Sequence, residues 1–201
     1  MTKNLFKRII WWSLKQFHLS IRKDYPRESH YFLKEYFGNK KISGAEIGVF
    51  YGVNSLWFLK MLNIKKLYLI DPYGKYEDLY DGKSLIATWN FQEIKDKAFR
   101  LLKRFYDKID VKWIYETSDE AFLKNYVSDD LDFVYIDGNH QYEFVKRDIK
   151  NYWQKLKKGG VLIGHDFTFY SVAKAVIEFA KKNKLKVITK AKDWEWIIVK
   201  R

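Results

Sequence analysis

The sequence predicts a doubly wound α/β domain built on a seven-stranded, mostly parallel sheet with a C-terminal antiparallel hairpin. Three observations predict it. From about Ile42 onward, short β-branched runs alternate with helical periodicity, the pattern of a parallel sheet with covering helices. Two of the runs, LYLID ending at Asp71 and DFVYID ending at Asp137, are apolar segments closed by an acid. The last two strand candidates have no helix between them, so they pair antiparallel.

The elements follow in order. Ala45 to Val49 reads as the first strand and Gly52 to Leu62 as a helix. Lys66 to Asp71 is the second strand, ending at Asp-Pro. Tyr73 to Asp107 reads as irregular and then helical. Its Tyr73–Thr88 part, rich in tyrosines and acids, is expected to lid a pocket. Val111 to Tyr115 is a strand and Ser118 to Tyr126 a short helix. Leu131 to Asp137 is a buried strand. Tyr142 to Leu156 is an amphipathic helix that runs into the stop signal Lys-Lys-Gly-Gly. Val161 to Asp166 is a strand, Ser171 to Asn183 a helix, and Lys186–Thr189 with Glu195–Val199 the closing hairpin.

Composition narrows the function. At 201 residues with 47% hydrophobic and 31% charged side chains, the chain has the size and balance of one globular domain. It has no cysteine, which excludes a disulfide scaffold, a thiolate zinc site, an iron–sulfur cluster and a cysteine nucleophile. The longest apolar run near the start, Ile9 to Trp12, is far short of the ~20 residues of a membrane span, and no signal cleavage site follows it. A cytoplasmic location is therefore expected. The net charge is +13, and residues 1–42 carry ten Lys/Arg against three Asp/Glu. Residues 1–41 are expected to form a basic, amphipathic helical extension ahead of a domain over 42–201. Leu5, Phe6, Ile9, Ile10, Trp12, Leu14 and Phe17 share one side of a helical wheel. That side suits packing on the body, a homodimer contact, or, through residues 1–20, an anionic membrane surface.

In a doubly wound sheet, ligands bind outside the carboxyl ends of the strands. The residues predicted there are Gly48 and its turn, Asp71, the Glu116–Asp119 loop, Asp137, His165 and Asp166. The turn Glu46-Ile-Gly48-Val-Phe-Tyr-Gly52 lets the backbone approach a ligand at a helix N-terminus. Asp71, 23 residues after Gly48, can accept both hydroxyls of a ribose. GxxxxGK[ST] is absent and the turn lacks GxGxxG spacing, so a nucleoside without a phosphate chain fits best.

The run LDFVYIDGNHQYE over Leu131–Glu143, with Gly159-Gly160 and Gly164-His165-Asp166 after it, completes a pattern. With ExGxxxG and the strand-end Asp71, it resembles the class I S-adenosylmethionine-dependent methyltransferases. The resemblance runs from about Gly44 to Lys200 and is nearest the macrolide-sugar and small-molecule O-methyltransferase branch, the methyltransferase family 24 type. It implies a Rossmann-like methyltransferase fold and S-adenosylmethionine as cofactor. By position it implies that Glu46 and Gly48 border the methionine part, Asp71 the ribose, and Ser118 and Asp119 the adenine, with Gly52 also counted among the cofactor-binding residues. It puts Asp137 near the cofactor and, with His165 and Asp166, on a magnesium or manganese ion. His140 stands where related catechol enzymes carry a lysine, and is implied to act as base with Asp137 beside it. The implied acceptor is a hydroxyl on a sugar, glycan or other small metabolite. The alternatives are a nucleic-acid methyltransferase, for which no binding module or N/D-P-P-Y/F motif is present, and a metal-dependent hydroxylase-like relative of the same fold.

Overall fold

Helix α1 (Glu28–Phe37) leads into strand β1 (Ile42–Ile47), helix α2 (Val53–Met61) and strand β2 (Ile64–Ile70). Strands β3 (Glu77–Tyr80) and β4 (Lys83–Ile86) pair apart from the main sheet and precede helix α3 (Phe91–Leu102) and a 3-10 turn over Lys103–Phe105. Strand β5 (Asp110–Ile114), helix α4 (Ser118–Leu123), strand β6 (Leu131–Ile136), helix α5 (Tyr142–Lys155), strand β7 (Leu156–Gly164) and helix α6 (Tyr170–Lys182) follow. Strands β8 (Ile188–Lys190) and β9 (Glu195–Val199) close the chain. The computed structural model describes residues 25–75, 77–80, 83–86 and 89–201, with side chains described over 25–75 and 89–201.

Seven strands form one sheet in the order β5-β2-β1-β6-β7-β9-β8. The first five are parallel, and β9 runs antiparallel between β7 and β8. The chain builds outward from β1 to β5, then returns to β6 on the other side of β1. Strand order reverses there, so the crevice of a doubly wound sheet opens beyond the ends of β1 and β6.

The period-2 alternation of the strands feeds two core layers. Phe133 and Tyr135 of β6 join Leu33 and Phe37 of α1, Leu56 of α2 and Leu102 of α3. Val134 and Ile136 face the opposite way, with Val145 and Ile149 of α5 and Val172 and Val176 of α6. Every residue of β6 is buried, including Asp132. Truncating Phe133 to alanine here costs about 3–5 kcal/mol through lost transfer energy and the cavity left behind.

Several boundaries differ from the sequence reading. The first strand spans Ile42–Ile47 rather than Ala45–Val49, because the backbone turns left-handed at Gly48 with φ of 83°. The stretch read as irregular from Tyr73 contains the β3–β4 hairpin. Lys157-Lys-Gly-Gly160 does not separate helix from strand: β7 starts at Leu156, directly after α5. The Gly159 N–H donates to the Lys200 carbonyl at 2.7 Å, and Gly159, with φ of 76°, lies in a bulge where the β6–β7 register shifts. Helix α4 stops at Leu123, and Asn125 follows in the left-handed region. The final hairpin begins at Ile188 instead of Lys186.

Helix α1 packs on the body through Ser29, His30, Leu33 and Phe37, all buried. The apolar face proposed over Leu5–Phe17 lies outside the described residues. Among the described residues, no helix is long and apolar enough to cross a membrane.

Candidate active site

Four backbone hydrogen bonds set the level of the site. In each, the first residue beyond a strand donates to the last carbonyl of its neighbour. Asp71 N–H reaches Ile114 O at 3.1 Å, and Gly48 N–H reaches Ile70 O at 2.9 Å. Asp137 N–H reaches Ile47 O at 2.8 Å, and His165 N–H reaches Ile136 O at 3.1 Å. Parallel register thus brings Gly48, Asp71, Asp137 and His165 to one edge, as the sequence predicts.

The half around β1 and β2 is built on Gly48. A Cβ there would lie 2.0 Å from the Asp137 carbonyl oxygen, so only glycine lets the two loops touch. Gly52, with φ of 72°, caps α2. Asp71 Oδ2 accepts from the Val49 and Phe50 N–H groups at 3.0 and 2.9 Å, and Oδ1 accepts from Tyr73 N–H at 2.8 Å. Those bonds hold the turn in which Phe50 adopts a positive φ of 50°. A carboxylate has about four acceptor positions, and the chain itself takes three of those on Asp71. Burial raises the Asp71 pKa, against the pull of these N–H groups.

Glu46 is buried beneath the turn. Its carboxylate accepts from Asn54 Nδ2 at 2.9 Å and from Ser55 Oγ. Burial pushes it up to about 7, partly offset by those two donors. Ser118 and Asp119 stand at the N-terminus of α4, with both side chains engaged by α5. Ser118 Oγ donates to Asp148 Oδ1 at 2.5 Å, while Asp119 pairs with Arg147 Nε at 2.9 Å.

Beyond β6 and β7 the charged groups converge. Donor atoms of Asp137, His140 and Asp166 lie within 4.8 Å of one another. His140 Nε2 is 2.8 Å from Asp166 Oδ2, and His165 Nδ1 is 3.0 Å from the same oxygen. His165 Nδ1 lies 3.7 Å from Asp137 Oδ1. Burial alone would raise the Asp166 pKa, but the two imidazole contacts outweigh it and hold the carboxyl well below its ordinary value. Asp166 itself has φ of 55°. Asp137, Gly138, His140, His165 and Trp196 line a small cleft at this point. Sequence reasoning grouped Asp137 with His165 and Asp166 and set His140 beside them. The geometry adds His140 to the convergent set and puts His165 against Asp166.

Sequence reasoning missed Arg27. Its Nη1 donates to Asp137 Oδ2 at 3.1 Å and to the Tyr135 hydroxyl. The Tyr135 hydroxyl donates to Glu195 Oε1 at 2.8 Å, and Ser29 donates to Glu195 through both N–H and Oγ. Burial opposes the Arg27 charge, but Tyr135, Asp137 and Glu195 outweigh it and keep the guanidinium protonated. His30 links to the other half: its Nδ1 accepts from Arg27 N–H and its Nε2 faces the Asn54 carbonyl at 3.2 Å. Burial drives His30 down to about 4, which keeps it neutral.

Comparison with known proteins fits this geometry. A family described as "Methyltransferase domain" matches residues 45–167. The curated protein R132 of Acanthamoeba polyphaga mimivirus, itself uncharacterized, is 27% identical over 153 residues. That match covers 73% of this chain and 61% of the relative, so the chain spans under two thirds of that protein's length. The O-methyltransferase NovP superposes with a TM-score of 0.59 at 15% identity, covering 86% of this chain and 79% of NovP. SMU.1697c of Streptococcus mutans, solved in complex with SAH, gives 0.60 at 15% identity, covering 86% and 96%. At these identities the two structures establish the fold.

Proposed function

Because this chain belongs to the methyltransferase domain family, we propose that it moves a methyl group from S-adenosylmethionine to a hydroxyl oxygen of a sugar, glycan or other small metabolite. The observation that carries this reading is the convergence of Asp137, His140 and Asp166 across from the Gly48 turn. NovP is named an O-methyltransferase and SMU.1697c holds SAH, the product left when that donor loses its methyl; both support the reading.

S-adenosylmethionine supplies an electrophilic methyl on a sulfonium, and holding donor and acceptor in line provides much of the rate. Asp71 offers its remaining acceptor position to the ribose, and the Gly48 turn offers backbone to the methionine end. Asp166 orients the His140 ring through Nε2. A neutral imidazole held against that carboxylate can take the acceptor proton. Asp166 then stabilises the imidazolium.

Two carboxylates with imidazoles beside them suit a magnesium or manganese ion completed by water. Asp137 and Asp166 would hold it, with His165 Nδ1 next to both. When bound, such an ion lowers the pKa of the acceptor hydroxyl.

A panel of hydroxyl acceptors with isotopically labelled S-adenosylmethionine tests the reaction. Wild type is expected to label an acceptor, and His140→Ala to bind SAH normally while losing turnover. Full turnover in His140→Ala removes the base, and full turnover in chelator removes the ion. The acceptor is read as a small molecule; a steep salt dependence of binding to RNA or DNA would favour nucleic acid instead.

A further inference from the structure

Arg27 occupies one oxygen of a carboxylate that the cation reading needs. Its Nη1 is 3.1 Å from Asp137 Oδ2, and the two side chains are 24% and 20% exposed, so water only partly screens the pair. We propose that Arg27 is a built-in cation that holds down the affinity of the Asp137–Asp166 cluster for divalent ions. This inference rests on the reading of that cluster as a cation site.

Asp137 and Asp166 together supply the negative charge that an ion would meet. The guanidinium offsets part of it before any ion arrives. An ion held by Asp137 would share that carboxylate with the Arg27 guanidinium, and two positive charges drawn to one partly buried carboxylate repel each other. Arg27 cannot simply swing away. Its second contact is the Tyr135 hydroxyl, which is buried and donates onward to Glu195. Two residues further on, Ser29 fastens the same segment to both oxygens of Glu195 at 2.7 and 2.8 Å. The arginine is thus part of a braced strap. A partner that orients a metal ligand by accepting its proton strengthens binding; a cationic donor on the carboxylate does the reverse by reducing its basicity. Coupling is reciprocal, so an ion bound at the cluster would weaken the hold of the strap on Asp137.

The test is titration with Mn²⁺ alone, read by electron paramagnetic resonance of the free ion, on the full-length protein. Arg27→Met and Arg27→Gln remove the charge in two ways, so one folded variant suffices; Arg27→Lys keeps it. Circular dichroism establishes which variants are folded. The expected result is binding at least about tenfold tighter in the neutral variants than in wild type, lost in Asp137→Asn, with Arg27→Lys close to wild type. Binding that Asp137→Asn abolishes but that is equal or weaker in the neutral variants overturns the role of Arg27 and leaves the cation site standing. No Mn²⁺ binding in wild type or in the neutral variants, up to roughly 10 mM, overturns the cation site and this inference with it.

Discussion

Gly48 and Asp137 touch backbone to backbone: a methyl group on Gly48 would stand 2.0 Å from the Asp137 carbonyl oxygen. The contact joins the loop expected to meet the methyl donor to the loop that carries the acids. The left-handed φ of 83° at Gly48 adds a second reason for glycine. Gly48→Ala is expected to cost about 3 kcal/mol, combining a left-handed penalty of 1–2 kcal/mol with overpacking. Denaturant unfolding measures the stability loss, and SAH binding should weaken with it. A variant with wild-type stability would mean that the two loops do not meet.

Asp71 receives three backbone N–H groups, and the proposed ribose contact would draw on the acceptor capacity that they leave. Asp71→Ala is expected to weaken SAH binding by about 1.5–3 kcal/mol, the scale of one hydrogen bond to a charged acceptor. It should also loosen the Val49–Phe50 turn, visible as faster amide exchange there. Unchanged SAH affinity would take Asp71 out of the ribose site.

Glu46 makes stability depend on pH. Its folded pKa is about 7 against 4.5 for the free carboxyl, with burial as the main cause. Between those values the folded state holds the proton and the unfolded state does not. The stabilisation is therefore fully present below about 4.5 and is lost as pH rises through about 7. The loss is on the order of 3 kcal/mol. Melting curves of wild type and Glu46→Gln should diverge over this window, with wild type falling faster. Parallel curves would show that Glu46 does not titrate there.

The parts of the fold written in periodicity were legible. The β6 run is largely apolar because both faces of the strand are covered, and the acids that end β2 and β6 stand where the sheet edge puts them. The Lys157–Gly160 stretch misled because glycines usually break elements, whereas here pairing to the chain end keeps them in the strand. The β3–β4 hairpin carries little alternation and, among the described residues, pairs only with itself. Arg27 was invisible for a different reason. It is one basic residue among ten in the first 42, and its meaning comes from Asp137, 110 positions away. Asp148 is buried on α5, and its bond to Ser118 needed the fold to appear.

The account rests on a nucleoside-bearing methyl donor at the edge formed by Gly48, Asp71 and Asp137. Isothermal titration of the full-length protein with SAH, and in parallel with a nicotinamide dinucleotide, tests it most directly. The account predicts a single SAH site of micromolar affinity, about −8 kcal/mol, and no heat with the dinucleotide. Heat with the dinucleotide and none with SAH would contradict it.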